Sequence, residues 1–593
     1  MPLMGSIYVG TSGLQTSQNS LNTTAHNLSN MGTTGYVRQQ VLHGDRLYNT
    51  IKNGSAHVNT QQVGLGVTYA KVRQVRDFFL DQSYRRENGR SSFYATSFEA
   101  LTEVEDLLDE LNDDASFNQS LTNLWKSIEE LSKTPDDTVV QRLLVQNANS
   151  FLTNAKQVYQ GLVDYQTELN AHVKENVDKI NELGNKILDL NNKIRNIEVG
   201  GIESANDFRD ARNEALDELS GLVNISYSED IYGSVRVKVE GVDFVVADTV
   251  HEIGMVADDS TGYYTPYWKI NSRVYTDENG IEKLDISNAK VFDMKALISS
   301  EKYTDIGKLR AMLYIRGDKV ADYTDIPIKP ETPDATDLNK YPLGNADPQY
   351  ALDVEQYTKA MKKYEEDVDY YNHTIAQSVC MNIQAEFDQL IHNVAIAING
   401  ILYDSYVESN GTYMCEDNGS PLELFQRVEC DGYKWNGTDW EPVPENTSND
   451  FYNDTLYSLP NLQINPVLIR EAGKLKFRHA DGTVDYETAK KFVDAFDADI
   501  YSLNPNVTTT CSINTYYTNL VSQVANSGAV YKNISLSQQT TVDSISYSRE
   551  QVQGVSSDEE LTSMIKFQNA FNAASRYINV VDEMLEHIIT QLG

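Results

Sequence analysis

The chain has 593 residues, with 49 Lys and Arg against 86 Asp and Glu, a net charge of −37 at neutral pH. That field repels phosphate backbones and anionic bilayers, which argues against nucleic-acid and peripheral-membrane roles. Hydrophobic residues make up 40%, enough for several packed domains, yet no stretch stays apolar long enough to span a bilayer.

The N-terminal segment comes first in chain order. Its first Lys or Arg is Arg38, so a secretory n-region is missing. The expectation is a chain that stays in the cytoplasm or leaves it by a route without a Sec signal. Ile7, Leu14, Leu21 and Leu28 recur every seven residues and predict a helix with one narrow apolar stripe. Thr11, Gln18 and Ala25 flank that stripe, and Gly10 and Gly13 lower the intrinsic helicity. Such a helix has little drive to form alone and lies best against a stronger partner.

Further helices are predicted around Phe93–Leu111 and Ser116–Leu131. Thr134-Pro135-Asp136-Asp137 then reads as a start signal, with Thr134 as the cap. The helix it opens runs toward Gly200. Val173, Asn176, Ile180, Leu183, Ile187, Leu190, Ile194 and Ile197 step by three and four along it. Continuous, it spans about 90–100 Å. Val-rich alternation over 234–253 predicts a hairpin or small sheet. Residues 326–349 hold five Pro and read as an exposed linker, and 364–402 return to a helix. From 403 to 460 the chain turns to Asn, Gly, Asp, Tyr and Trp, the profile of a β-rich surface insertion. A short helix over Tyr486–Asp497 and a longer one over Asn514–Glu550 lead to the C-terminus.

There Met564, Phe567, Phe571, Ala574, Ile578, Val581, Leu585, Ile588 and Leu592 form an unbroken 3-4 heptad seam. Ser557, three residues before Glu560, is the expected cap, with Asp558 and Glu559 in the first turn. Over 558–592 this helix measures about 50 Å. Its seam is the natural partner for the weak N-terminal stripe.

No catalytic constellation stands out. His251-Glu252 opens like a zinc-protease motif but reaches Met255 where the second histidine belongs. Neither a nucleophile elbow nor a phosphate-binding loop occurs. Runs such as Glu365-Glu366-Asp367 read as solvated faces, and His392 as a packing residue. Cys380, Cys415, Cys430 and Cys511 form no disulfide framework, although spacing alone allows a Cys415–Cys430 bridge. The expectation is a structural protein, not an enzyme, without metal or cofactor.

Two stretches carry a resemblance. Asn27-Leu28-Ser29-Asn30 followed by Thr34-Gly35-Tyr36-Val37-Arg38-Gln39, and the tail from Gly554 to Gly593, resemble the two terminal signatures of bacterial flagellar axial proteins. Asn27, Asn30, Gly35, Tyr36, Arg38 and Gln39 are the signature positions. Tyr-x-Arg-Gln is similar to the hook-associated protein 1 family, whereas rod and hook proteins usually carry Phe-Lys there. The blocks at 205–229, 307–318 and 462–473 also resemble that family. Leu28 replaces a usual Ile, Arg209-Asp210-Ala211-Arg212 is a shifted block, and 320–372 and 403–460 have no counterpart.

The fold expected is mainly α with β-rich insertions, an α+β multidomain chain. A long helical bundle is combined with paired N- and C-terminal coiled-coil helices. Residues 1–60 and 535–593 would form a terminal core that orders only on assembly. Residues 61–402 and 461–534 would form the middle domain, with an acidic Pro-rich insertion at 320–372 and an outer domain at 403–460. The resemblance implies a structural adaptor between flagellar hook and filament. It implies as partners further copies of the chain, the hook protein, a second junction protein, a cytoplasmic export chaperone (FlgN-like) at the C-terminal helix and the flagellar type III export apparatus. It implies no nucleic acid and no membrane, and an extracellular location on the flagellum. Another axial protein of the hook or distal rod is the alternative, and a coiled-coil adhesin a weaker one.

Overall fold

A computed structural model describes residues 2–46, 48–52, 60–108, 116–201, 203–276, 282–337, 340, 343, 348–409, 411–446, 454–479 and 482–592. Helix α1 (Pro2–Ser29) opens the chain and lies along its last helix. A loop then leads into β1 (Gln39–Asp45), β2 (Asn49–Lys52), β3 (Thr60–Val63) and β4 (Val67–Gln74). β1 pairs antiparallel with β4, with a bulge between Leu42 and His43, and β2 pairs with β3. The β1–β4 ladder also lies against α1.

The body is helical. It comprises α2 (Phe78–Leu108), α3 (Phe117–Lys133), α4 (Thr138–Glu198), α5 (Asn206–Leu222) and α6 (Lys308–Arg316). The expected end of α2 near Leu111 lies outside the described residues. Ser116 caps α3 by accepting from the Gln119 N–H. Asp137, not Thr134, caps α4, because its carboxylate accepts from the Val139 N–H at 2.8 Å while Thr134 ends α3. The carboxylate also sits at the positive end of the helix dipole. α4 is one uninterrupted helix of 61 residues, about 90 Å long. Val177 rather than Asn176 faces its core, since i to i+4 places Val173, Val177 and Ile180 on one side.

The second half of α4 carries the sheet β5 (Ile225–Glu229), β6 (Val235–Val239), β7 (Val242–Val246) and β8 (Thr249–Val250), in that order. Two hairpins follow, β9 (Ile253–Ala257) with β10 (Tyr264–Trp268), and β11 (Arg273–Thr276) with β12 (Glu282–Asp285). Val237, Val239, Phe244, Val245 and Trp268 close one core against Val177, Ile180, Leu183 and Ile187.

The Pro-rich segment differs from a plain linker. After it, α7 (Pro348–His373) begins sixteen positions before the expected helix start at 364 and buries only Tyr371 among its described side chains. α8 (Val379–Glu408) then runs through the body. Residues 403–460 do not stand apart. β13 (Phe425–Arg427) pairs with β16 (Leu462–Ile464), and β14 (Tyr433–Trp435) with β15 (Trp440–Pro442). Met414, Leu422, Phe425, Leu459 and Leu462 share one core with α3, α4 and α8. The apolar residues between the polar runs were too sparse to announce that burial. α9 (Pro466–Arg470), α10 (Tyr486–Asp497), α11 (Ile513–Gln553) and α12 (Ser557–Leu592) complete the chain, with α11 packed along α2. Cys380, Cys415, Cys430 and Cys511 are all free, so Cys415 and Cys430 are not bridged.

Candidate functional site

The region of interest is where the two chain ends meet each other and the body. α1 and α12 lie side by side within one chain, as ordered helices of 28 and 36 residues. Each helix covers part of the other's stripe. Ile7, Leu14, Leu21 and Leu28 are half-buried, as are Met564, Phe567, Phe571, Ala574, Ile578 and Leu585. Val581 is buried, Ile588 is 40% exposed, and the Leu592 side chain lies outside the described residues.

The most buried face of α1 is a stripe of small and polar residues: Gly10, Ser12, Thr16, Ser20, Thr24 and Asn27. Gly10 is there for clearance. A Cβ at that position would meet Ile578 Cγ1 at 2.6 Å, and one at Gly13 would touch the Ala574 Cβ at 3.7 Å. The stripe's hydroxyls are largely satisfied within the helix. Ser20 Oγ donates to the Thr16 carbonyl at 2.9 Å and Ser17 Oγ to that of Gly13 at 2.8 Å. Ser12 Oγ donates to the Val9 carbonyl and accepts from the Val67 N–H of β4 at 3.2 Å. A hydroxyl bonded this way is buried without the cost of an orphaned donor.

α12 also exposes apolar side chains in pairs one turn apart, Leu561 with Ile565 near its start and Val580 with Met584 near its end. Leu561, Ile565, Val580, Met584 and Ile589 are exposed, Ile589 by 69%. Exposed apolar pairs such as these are surface that a neighbouring chain can cover.

The signature residues converge at the end of α1. Asn27 is buried and acts as the hub. Its Oδ1 accepts from the Tyr36 hydroxyl at 2.7 Å and from the Gln39 N–H at 3.0 Å, while its Nδ2 donates to the Gln39 carbonyl. Asn30 closes the helix by donating from Nδ2 to the His26 carbonyl at 3.0 Å. Gly35 has φ +77, the left-handed region, which turns the chain back toward α1. Burial, with Asp210 nearby, pushes the Tyr36 hydroxyl well above its ordinary pKa, so it stays a donor.

Arg38 reaches the other end of the chain. Its N–H donates to the Gln553 carbonyl at 2.8 Å, at the last turn of α11. Its guanidinium pairs with Glu559 at 2.9 Å and Glu560 at 3.0 Å. The Glu560 side chain is only 4% exposed, so this contact is an anchor rather than a surface pair. α12 starts at Ser557, which places Ser556 at the cap, with its carbonyl accepting the Glu560 N–H. Glu560 is thus spent on Arg38 and not on a capping box at Ser557.

The body completes the lock with residues that the motif reading did not single out. Asp210 of α5 accepts from the Val37 N–H and, at 2.6 Å, from Gln74 Nε2 of β4. Burial raises its carboxyl to about 7 despite these donors. Arg549 of α11 bridges Asp81 of α2 and Asp217 of α5, each at 2.9 Å, and Arg85 joins Asp217 at 2.6 Å. Burial acts to raise the Asp81 carboxyl, but the hydrogen bond and charge of Arg76, with Arg549 and Arg85, hold it below the usual range. These pairs tie α2, α5 and α11 together directly beneath the signature loop. Periodicity and motif spacing give no signal for them, since their partners lie on distant segments.

His251 and Glu252 are occupied structurally. His251 Nδ1 lies 2.8 Å from the Asp243 carbonyl, and Glu252 pairs with Lys269. His392 stacks on Tyr323 with ring centroids 3.8 Å apart, and burial lowers its pKa. Among the described residues no group of three or more His, Cys, Asp or Glu is placed to hold a metal ion.

Comparison with known proteins follows the same geography. A family model described as flagellar hook-associated protein FlgK helical domain matches residues 101–313. The flagella basal body rod protein model matches 7–36, and the flagellar basal body rod FlgEFG protein C-terminal model matches 551–592, the two ends joined by the lock. The chain is 24% identical over 583 residues to flagellar hook-associated protein 1 of Bacillus subtilis, covering 98% of this chain and 96% of that one. It is 21% identical over 596 residues to the Escherichia coli protein of the same name, covering 98% of each. Its match to the Salmonella typhimurium protein is 26% over 247 residues, 43% of that relative. A solved structure of the flagellar hook junction protein FlgK from Burkholderia pseudomallei shares the fold at a TM-score of 0.51 and 10% identity, covering 79% of this chain and all of that one. Both terminal signatures, the helical body and near full-length relatives agree in their similarity to flagellar hook-associated protein 1 (FlgK).

Proposed function

We propose that the chain is a structural adaptor between the flagellar hook and the filament, on which flagellin assembles. One observation carries the reading: α12 is paired on one side with α1, anchored at its base by Arg38, and exposes Leu561, Ile565, Val580 and Met584 away from the heptad seam. A helix anchored at its base with exposed apolar side chains away from its partner suits heterologous stacking, in which one face of a subunit meets a different face of the next. Further copies of the chain would cover Leu561, Ile565, Val580 and Met584. The hook protein would lie below and a second junction protein above, and α1 with α12 would line the inner core.

These exposed side chains need shielding before assembly. A cytoplasmic export chaperone at the C-terminal helix and passage through the type III export apparatus meet that need. That route would carry the assembled protein outside the cell, onto the flagellum. The small and polar positions beside the Leu stripe of α1 keep that segment soluble when unfolded for transit. Deleting the gene should leave hooks without filaments and shed flagellin into the medium, seen by electron microscopy and immunoblot. Full-length filaments on the deletion strain would refute the adaptor role.

A further inference from the structure

The end of the body that carries the lock also carries an exposed apolar patch. Its centre is the turn between β5 and β6. There the Asp230 carboxylate accepts from the Tyr232 and Ser234 N–H groups, each at 2.9 Å, and Gly233 has φ +80. Turns held this way are usually polar at the tip, yet this one raises Ile231, 90% exposed, and Tyr232 into solvent. The turn rests on the last turn of α4, since a Cβ on Gly233 would stand 3.0 Å from Glu198 Oε2 and 3.2 Å from Ile194 Cγ2. Val199, just past that helix, is exposed as well. So is Phe78, whose ring meets Tyr227 of β5 edge-on with centroids 5.3 Å apart. Scattered apolar side chains are ordinary on a surface, but four grouped around one rigid turn mark an interface.

The rim of this patch is basic in a chain of net charge −37. Lys71 and Arg73 of β4 share one cleft with Phe78 and are exposed, and neither pairs with a carboxylate among the described residues. The base of α12 offers the complement. Asp558, Leu561 and Ile565 lie three and four residues apart, so they share one face of that helix, and all three are exposed. Asp558 has no cation within ion-pair distance among the described residues. The two surfaces sit at one level of the molecule. Gln553, at the end of α11, donates to Asp81 at 3.0 Å, and Arg549 pairs with Asp81 at 2.9 Å. These contacts set the base of α12 level with the first turn of α2, which carries Phe78. Copies standing side by side therefore bring the patch of one toward the α12 base of the next.

We propose that this patch receives the base of α12 from a second copy of the chain. Phe78, Val199, Ile231 and Tyr232 cover Leu561 and Ile565, while Lys71 and Arg73 meet Asp558. The contact is heterologous, one face against a different face, as open or ring-shaped stacking requires. Two like patches would instead bring cations together, which the charge pattern disfavours. The inference rests on the adaptor reading and names the surfaces through which one copy meets the next.

The test is disulfide cross-linking in flagella isolated from cells that make two differently tagged full-length forms, one Ile231→Cys and the other Ile565→Cys. Mild oxidation should give a dimer band carrying both tags. Each form expressed alone should not give it, which controls for the native cysteines. Lys71→Glu with Arg73→Glu in the first form, two exposed changes that leave the fold intact by circular dichroism, should weaken the mixed band severalfold. Asp558→Lys in the second form should then restore it. No mixed band, an equal band from Ile231→Cys alone, or no restoration by Asp558→Lys overturns the proposal. Tagged chain missing from the flagella sinks the adaptor reading and this contact with it; chain present without the mixed band sinks this contact alone.

Discussion

Arg38 is the residue on which the two ends of the chain converge. Replacing it with Ala leaves Glu560, whose side chain is 4% exposed, without its cation. Losing a hydrogen bond to a charged, mostly buried partner costs about 1.5–3 kcal/mol. Hydrogen exchange should therefore speed up in α12 while α4 keeps its protection; unchanged exchange in α12 would show that the signature arginine does not anchor it. Gly10 makes the complementary case for sterics. A Cβ there stands 2.6 Å from Ile578 Cγ1, so Gly10→Val should destabilise the α1–α12 pair by about 1–3 kcal/mol through overpacking. Ile578→Ala in the same chain should recover part of that loss in thermal unfolding. If it recovers none, the clash is not the cause. The sequence reading took Gly10 and Gly13 only as helix weakeners, because propensity says nothing about how near a neighbouring helix will come.

At the scale of elements, the 3-4 seam of α12 is what periodicity reads best, and the helix runs over the full span that it predicts. The N-terminal partner is less legible. Ile7, Leu14, Leu21 and Leu28 are only half-buried, while Ser12, Thr16, Ser20 and Thr24 lie deeper. A hydrophobicity pattern cannot flag a polar stripe whose hydroxyls bond to their own helix. Phe571 and Leu585, spaced two heptads apart on the seam, test the pair as a unit. Changing both to Asp places two carboxylates against α1, and each buried charge without a partner is strongly unfavourable. Cells carrying that double change should make hooks without filaments, while circular dichroism of the purified chain keeps nearly all its helix signal. Normal filaments on such cells would rule out the seam as part of the assembly surface.

For the whole molecule, the buried carboxylates set the pH response. Burial raises Glu386 from 4.5 to about 7 and Asp388 from 3.8 to about 8, outweighing the donors that Asn504, Gln523 and the Tyr323 and Leu459 N–H groups offer. A carboxyl whose folded pKa lies above its unfolded value binds more protons in the folded state. Stability from this source is therefore present at low pH and is lost as pH rises from about 4 through 7 to 8. The melting temperature should be several degrees higher near pH 5.5 than near pH 8. Asp388→Asn should flatten that slope, whatever it does to the midpoint itself. A rising or flat profile for the unmodified chain between those pH values would contradict the buried positions of both groups.

The sequence by itself determined the long terminal and central helices, the 3-4 seam, the expectation of no catalytic centre and the two terminal signatures, because each is written in local spacing. It also carried the family resemblance, since the signature residues are read one beside another. Only the tertiary structure decided what those residues hold. Arg38 finds Glu560 522 positions away, and Asp81, Asp217 and Arg549 meet from three helices. Residues 403–460 join the main core despite a polar composition. Ion pairs and close helix crossings depend on which surfaces meet across the whole chain, and periodicity within one segment holds no record of its neighbours.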